Sequence, residues 1–234
     1  MRQARVNDPI PRSGRPDRQV VRPPYVHPWP ETIRPRELPP DMETTVLATD
    51  IMGFGRSYRD PAAQLYARQL MYDLLIEAFD MTALPWWDCH REDRGDGVLV
   101  VATPELPPDQ FLDPLIHHLN ALLRAHARHG VQVAPLRVRL AVHHGYVYYD
   151  AHGVTGDALT YLYRLLEASA FKRAVDSAGA RLGVIVSDQL YSQAIARDTL
   201  INPAAYTQLR LNCKETRTRG WLWLPAESRP LQPA

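Results

Sequence analysis

The sequence predicts a single α+β domain in which a mixed β-sheet is covered by helices. The chain has 234 residues, of which 45% are hydrophobic and 23% charged, the balance of an ordinary globular domain. Its apolar patterns follow the order β-α-β-β-α-β, with further elements after them. The Pro-rich sequence is concentrated in residues 1–42, so we expect the folded domain at 43–225 and a short tail at 226–234.

Hydrophobic periodicity predicts the individual elements. Residues 44–49 form a β-branched apolar run, typical of a buried strand, that ends at Asp50 and a glycine-containing turn. Similar short runs predict further strands at 86–90, 97–102, 136–144, 145–149, 182–186, 206–213 and 220–224. Helical spacing predicts a helix that begins near Pro61 and others at 109–129, 156–169 and 188–196.

Residues 1–42 carry about half of the chain's 21 prolines, together with several arginines. They lack the apolar periodicity that a hydrophobic core requires. We expect this arm to be extended and to lie along the domain or along a partner subunit, where Tyr25 and Trp29 could anchor it.

Charge and hydropathy exclude several classes of function. A net charge of +1, with Lys and Arg scattered among carboxylates, gives no electrostatic footprint for nucleic acid. No apolar run approaches the roughly 18 residues that a membrane span needs, and the N-terminus lacks a signal peptide's apolar stretch. We therefore expect a cytoplasmic protein without a nucleic-acid or membrane partner. Its two cysteines, Cys89 and Cys213, are expected to stay reduced and to serve packing.

Two aspartates lie beside glycines at predicted strand ends. If the strands are neighbours, Asp50 and Asp96 project from one edge of the sheet, which suits a hard divalent cation such as Mg²⁺. Two metals held about 4 Å apart can activate an attacking oxygen and neutralise a triphosphate. The backbone from Ile51 to Phe54, tightened by Gly53, could offer amides to phosphates. Either aspartate alone would more often serve only its turn.

Four motifs that follow one another along the chain favour a metal site over two aspartates that only serve turns. They are Asp50-Ile51-x-Gly53-Phe54, Gly95-Asp96-Gly97, Arg139-Leu-Ala-Val-His143-His-Gly145-Tyr-Val147 and Gly156-Asp157-Ala-Leu-Thr160-x-x-x-Arg164-Leu165. Together they resemble the class III nucleotide cyclase homology domain over residues 43 to 224. The resemblance implies a ferredoxin-like core that forms a head-to-tail homodimer. One subunit would supply the metal aspartates and the other the transition-state residues.

The resemblance also implies a role for individual positions. Asp50 and Asp96, with Ile51 beside them, match the site of two divalent metal ions, Mn²⁺ or Mg²⁺. The turn residues Ile51, Gly53 and Phe54 match positions that contact a nucleoside triphosphate substrate.

Residues nearer the C-terminus match the groups that act on the reacting phosphates. Arg164 matches the arginine that stabilises phosphate charge, a role suited to a planar guanidinium. Thr160 stands where the family has an asparagine that orients the ribose, so only one hydroxyl could serve that role. A late lysine usually binds the terminal phosphates. Either Lys214 or Arg219 could replace it, and the spacing leaves that choice open.

Glu92 stands four positions before the second metal aspartate, where the family has lysine with adenine and glutamate with guanine. A carboxylate accepts the N1 and N2 hydrogens of guanine, but equally the N3 hydrogen of uracil. The second selective position, Gly153, has no side chain. With Arg94 or Arg91 beside it, Glu92 could read the single donor of uracil between two acceptors, whereas cytosine presents an acceptor at N3.

The chain resembles the bacterial pyrimidine cyclases in three features. It is compact, it has threonine at position 160, and its set of purine-selecting residues is incomplete. These enzymes make cyclic UMP or cyclic CMP as an alarm against bacteriophage and pass it to a separate effector protein. The sequence thus predicts a cyclase that acts on UTP. The alternatives are a guanylate, cytidylate or adenylate cyclase, or a degenerate cyclase-like domain that only binds nucleotide or dimerises.

Two adjacent histidines are interpreted as structural residues. His143 and His144 lie on a predicted strand, so their rings point to opposite faces and at most one can join a given site.

Overall fold

The computed structural model of the chain describes residues 39–56, 59–129, 135–197, 201–214 and 216–226. Nearly all of the predicted arm, with its candidate anchors Tyr25 and Trp29, lies outside the described residues. So does most of the predicted tail. No helix in the described part of the chain is long and apolar enough to cross a membrane.

The described residues form one eight-stranded sheet and five α-helices. The strands are β1 (Asp41–Ile51), β2 (His90–Asp93), β3 (Val98–Val101), β4 (Val138–Asp150), β5 (Gly153–Thr155), β6 (Leu182–Ser187), β7 (Tyr206–Cys213) and β8 (Thr216–Trp223). The helices are α1 (Pro61–Met81), α2 (Leu115–His129), α3 (Asp157–Glu167), α4 (Ser169–Ser177) and α5 (Asp188–Ala196).

The sheet is mixed, as predicted. Its strand order is β2-β3-β1-β4-β6-β8-β7, and β5 pairs with the outer end of β4. Strands β4 and β6 are parallel, whereas the other pairs are antiparallel. Alternate residues of β1 enter two cores: Leu47 and Ile51 pack with α1 and α2, and Val46 and Ala48 pack with α3 and α4. The predicted α+β fold with helices on a mixed sheet is therefore confirmed.

The first hairpin differs from its prediction. The strand expected at 86–90 is wrong, because Trp86 lies in a turn and packs edge-on against Phe79 with ring centroids 4.9 Å apart. The strand instead runs from His90 to Asp93, so His90 is the only residue of the predicted strand that lies in it. Glu92 consequently lies on a strand, so its side chain has a fixed direction relative to the sheet.

Other boundaries also differ. The helix expected at 109–129 is divided into a 3-10 turn at Pro108–Phe111 and α2, with Pro114 between them. The pattern at 156–169 continues beyond Glu167 as a second helix, α4, after an extended residue at Ala168. The two strands expected between 136 and 149 are one long strand, β4.

The two adjacent histidines are structural within this sheet. The ring of His143 lies 2.9 Å from the Ser187 hydroxyl, and that of His144 lies 3.1 Å from the Thr45 hydroxyl, on the opposite face.

Candidate active site

Asp50 and Asp96 come together where β1 ends. Asp50 is the penultimate residue of β1 and is only 8% exposed. The turn that follows β2 lies against this end, because the Ile51 amide donates to the carbonyl oxygen of Asp96 at 2.7 Å. Gly97 permits the approach, since a Cβ there would lie 1.8 Å from the Thr49 carbonyl oxygen. The sequence motifs Asp50-Ile51-x-Gly53 and Gly95-Asp96-Gly97 thus meet.

Arg139 holds the Asp50 carboxylate from the neighbouring strand. The two residues are directly opposite in the β1–β4 register. Arg139 Nε donates to Oδ1 at 2.9 Å and a terminal guanidinium nitrogen donates to Oδ2 at 2.5 Å, a two-pronged ion pair. No role was predicted for this arginine from the sequence. A lone arginine in the apolar run of β4 was the available signal, but its partner depends on strand register.

Burial raises the pKa of Asp50 above its ordinary value, and the nearby charge of Asp96 adds to this effect. The charge and hydrogen bonds of Arg139 oppose it, as does the charge of Lys172, without cancelling it. A metal ion would therefore compete at Asp50 both with a proton and with a guanidinium. As the pH is lowered, metal affinity should begin to fall at a higher pH than it would at an exposed aspartate.

The donors at this end of the sheet fit a hard divalent cation. Among the described residues, no group of three or more His, Cys, Asp or Glu side chains could enclose a metal. Mg²⁺ usually takes only one or two protein carboxylates and completes its shell with water and substrate phosphates. Asp50 and Asp96 match that requirement. Ile51 has a buried side chain, so only its backbone could take part.

The turn after β1 is already partly hydrogen-bonded. Gly53 adopts a φ of 68°, which favours glycine. Three of the four amides from Ile51 to Phe54 donate to backbone carbonyls, those of Asp96, Arg137 and Ile51. The Phe54 ring is partly buried against the α1 core. The predicted set of phosphate-binding amides is therefore reduced.

Glu92 is fixed by three neighbouring groups. His90 Nε2 lies 3.1 Å from its Oε1, the Val154 amide donates to the same oxygen at 3.2 Å, and Arg94 donates to Oε2 at 2.5 Å. Burial acts to raise the pKa of Glu92. The hydrogen bonds from His90 and Val154 and the charge of Arg94 outweigh it, so that pKa is lowered. The carboxylate is therefore ionised and held in one orientation.

The two predicted base-selecting positions contact each other. A Cβ on Gly153 would lie 2.7 Å from Glu92 Oε1, so glycine leaves the space that the carboxylate fills. The guanidinium of Arg94 also lies 5.5 Å from the Tyr163 ring centroid on α3. Arg91, the other arginine considered, instead donates to the carbonyls of Trp86 and Cys89. Arg94 is thus the arginine that accompanies Glu92.

Arg164 and Asp50 lie at opposite ends of the sheet. A guanidinium nitrogen of Arg164 donates to the Thr216 hydroxyl at 2.5 Å, at the start of β8. Trp223 is at the other end of β8. The pairing of β1 with β4, β4 with β6 and β6 with β8 places Trp223 at nearly the same height along the sheet as Asp50, one residue away. At about 3.3 Å per residue, these ends are roughly 25 Å apart. The two residues therefore do not meet within one chain.

Thr160 belongs to the same half of the molecule as Arg164. It is exposed in the first turn of α3, and β5 with Gly153 and Val154 directly precedes this helix. The structure thus forms two groups, one around Asp50 and Asp96 and the other around Glu92 and α3.

The two candidates for the terminal phosphates lie in different places, Arg219 within β8 and Lys214 in the turn before it. Arg219 pairs with Asp188 of α5 at 2.9 Å, while its neighbour Thr218 faces α3 through the Tyr161 hydroxyl at 2.8 Å. Arg219 therefore points away from the α3 face. Lys214 is exposed in the turn between β7 and β8, two residues from the threonine that holds Arg164. The geometry favours Lys214.

Solved structures of nucleotide cyclases have the same arrangement of strands and helices. The guanylyl cyclase Cya2 superposes with a TM-score of 0.56 at 16% identity over 79% of this chain and 91% of that one. An adenylate/guanylate cyclase/hydrolase from Silicibacter pomeroyi gives 0.57 at 18% identity over 79% and 98%. The fold is that of a class III nucleotide cyclase domain.

A further match has a nucleotide bound. It is the guanylate cyclase domain of RhGC from Catenaria anguillulae in complex with GTP, with a TM-score of 0.52 at 20% identity over 80% of this chain and 98% of that one. No protein-family model and no curated sequence matches the chain.

Replacing Arg139 with Gln should destabilise the fold, because the largely buried Asp50 carboxylate would lose its charged partner. Breaking such a pair typically costs about 3–5 kcal/mol. Arg137→Gln, directly before β4, is the matched control. Arg137 pairs with a half-exposed Asp176 at 3.5 Å and donates to the Ala180 and Val175 carbonyls, so its replacement should cost less, about 1–2 kcal/mol. Chemical denaturation of both variants measures the difference. Equal losses would contradict a special role for the Asp50–Arg139 pair.

Proposed function

We propose that this chain is a nucleotide cyclase that converts UTP into cyclic UMP and pyrophosphate. The observation that carries the proposal is the meeting of Asp50 and Asp96 at the end of β1, within a fold shared with nucleotide cyclases. The product would serve as a second messenger in anti-phage defence and would act on a separate effector protein.

In this reaction the ribose 3′-oxygen attacks the α-phosphorus of the triphosphate. A bond forms between that oxygen and phosphorus, the bond from the α-phosphorus to the bridging oxygen breaks, and pyrophosphate leaves. The 3′-hydroxyl proton passes to solvent. Two Mg²⁺ or Mn²⁺ ions at Asp50 and Asp96 would activate the attacking oxygen and neutralise phosphate charge.

The remaining catalytic groups would come from the second subunit of a homodimer. Arg164 would stabilise the charge that develops on the α-phosphate, because a guanidinium offers several donors and remains charged. Lys214 would bind the terminal phosphates, and Thr160 would hold the ribose. Supporting this division, Asp50 and Arg164 lie at opposite ends of one subunit.

The contacts of Glu92 support a base with one donor. Each carboxylate oxygen has two lone pairs. Both on Oε1 are taken by His90 and the Val154 amide, and one on Oε2 is taken by Arg94. One acceptor position remains, too few for the two adjacent donors of guanine. The N3–H of uracil needs one, and Arg94 can donate to a flanking carbonyl.

Product identification tests the proposal. The purified protein is incubated separately with ATP, GTP, CTP and UTP plus Mn²⁺, and cyclic products are identified by mass spectrometry against 3′,5′-cyclic standards. We expect cyclic UMP and pyrophosphate in equal amounts, with UTP much preferred. Cyclic CMP or cyclic GMP as the main product would overturn the base assignment but retain the cyclase. Bound nucleotide without any cyclic product would instead favour a degenerate domain.

Replacing Glu92 with Gln should lower kcat/KM for UTP by about 10- to 100-fold, since the amide presents a donor where an acceptor is needed. Inhibition by inorganic triphosphate should be unchanged, because that ligand has no base. Gln is a better choice than Lys, because Lys would place a second positive charge against the Arg94 guanidinium. An equal loss of triphosphate inhibition would show that Glu92 acts on the phosphates or on folding.

A further inference from the structure

A strip of exposed side chains runs across the start of β1 and the end of β4. We call these the outer ends of the two strands. Asp41 is opposite Tyr148, and Glu43 is opposite Tyr146, on one face of the strand pair. Tyr146 is 58% exposed and Tyr148 is 51% exposed. We call these four residues the tyrosine strip.

The strip lies on a face that helices cover farther along the same strands. Leu47 and Val142 are opposite each other on this face and are buried beneath α1 and α2. On the other face of the outer ends, Met42 and Val147 are buried in the core with α3. Within the described residues, the outer part of this sheet face thus has exposed aromatic rings where the inner part has a covered core. Exposed aromatic clusters of this kind mark interaction surfaces.

The N-terminal segment enters the fold beside this strip. The Tyr149 amide donates to the Pro40 carbonyl oxygen at 2.9 Å, and β1 begins at Asp41. The point at which residues 1–38 join the fold therefore lies beside both tyrosines, and the segment is tethered there. A short tether of this kind typically gives an effective concentration in the millimolar range.

The composition of this segment complements the strip. Residues 1–38 contain eight prolines, eight arginines and four acidic residues, so they are rich in proline and carry a net positive charge. Proline-rich segments dock on aromatic surfaces with little loss of entropy, because their backbone is already restricted. Arginines also stack on tyrosine rings and pair with carboxylates. The strip offers both partners, two tyrosines and two acidic residues.

We propose that residues 1–38 of the same chain dock on the tyrosine strip. Prolines and arginines of the segment pack on Tyr146 and Tyr148, and arginines pair with Asp41 and Glu43. The segment thereby extends the cover of this sheet face past the helices. This inference does not depend on the proposed cyclase activity, and its tests do not use turnover.

Limited proteolysis of the full chain tests the docking. Trypsin cleaves after arginine unless a proline follows, so five of the segment's eight arginines report its protection. We expect a Tyr146→Ser, Tyr148→Ser double variant to be cleaved within residues 1–38 at least about tenfold faster than the unmodified protein. Leu65→Ser is the matched control, because Leu65 is a 68% exposed apolar residue on α1. Its cleavage should be unchanged. An unchanged rate in the double variant would overturn the proposal.

A photo-cross-link keeps the proposal testable if the double variant does not fold. Tyr148→p-benzoylphenylalanine retains an aromatic ring at the strip and forms a covalent bond with whatever covers it. Peptide mapping should find the bond in residues 1–38. Mixing ¹⁵N-labelled and unlabelled chains should give bonds only within chains of one isotope. A bond to the segment of the other chain, to residues 39–226 of a second copy, or no bond within the protein would each overturn it.

Discussion

Replacing Asp50 or Asp96 with Asn should reduce turnover at least about a hundredfold at saturating Mn²⁺. The neutral amide is a much poorer ligand for a hard cation than a carboxylate, so the metals proposed to activate the 3′-oxygen would be lost or misplaced. Initial rates of cyclic product formation, measured over a range of Mn²⁺ concentrations, give the loss. An aspartate whose variant retains the unmodified rate does not belong to the site.

The loss must be separated from a loss of folding. Asp50→Asn also leaves the Arg139 guanidinium without its ionic partner, so this variant should unfold at lower denaturant concentration. Asp93→Asn is the matched control. Asp93 lies in the same hairpin as Asp96 and accepts hydrogen bonds from Arg68 and Tyr72 at 2.7 and 2.6 Å. The control should lose stability but keep its turnover.

The fold was predictable from sequence because its apolar patterns are local. The buried strand before Asp50, the helix after Pro61 and the strands at 182–186 and 206–213 each show their own periodicity. The hairpin around Glu92 could not be placed in this way. Trp86 is of a residue type common in strands, but it packs in a turn against Phe79. Strand β2 consists of polar and charged residues, which do not show a strand pattern.

Side-chain partners at the candidate site depend on strand register, which is a long-range property. The pairing of Asp50 with Arg139 joins residues 89 positions apart. The contact between Glu92 and Gly153 likewise joins β2 to β5, a strand that the sequence did not predict. The direction of Arg219, away from α3, likewise follows from the pleat of β8, because alternate residues face opposite sides.

We propose that each active site is shared between two subunits. Within one chain, the Arg164 guanidinium is held at the start of β8 and the Asp50 carboxylate lies at the opposite end of the sheet. A two-fold dimer can bring the two groups together, with Asp50 from one subunit and Arg164 from the other. Asp50→Ala and Arg164→Ala homodimers should both be nearly inactive, because each carries its defect in both sites.

Mixing these two inactive variants tests the claim most directly. In a mixed dimer, one site contains both substitutions and the other contains neither. Random exchange makes about half of the dimers mixed, so activity should recover to about a quarter of the unmodified level. Tagged subunits confirm that mixed dimers form, and cyclic product is measured before and after exchange. Absence of recovery in confirmed mixed dimers would show that Asp50 and Arg164 do not act in a shared site.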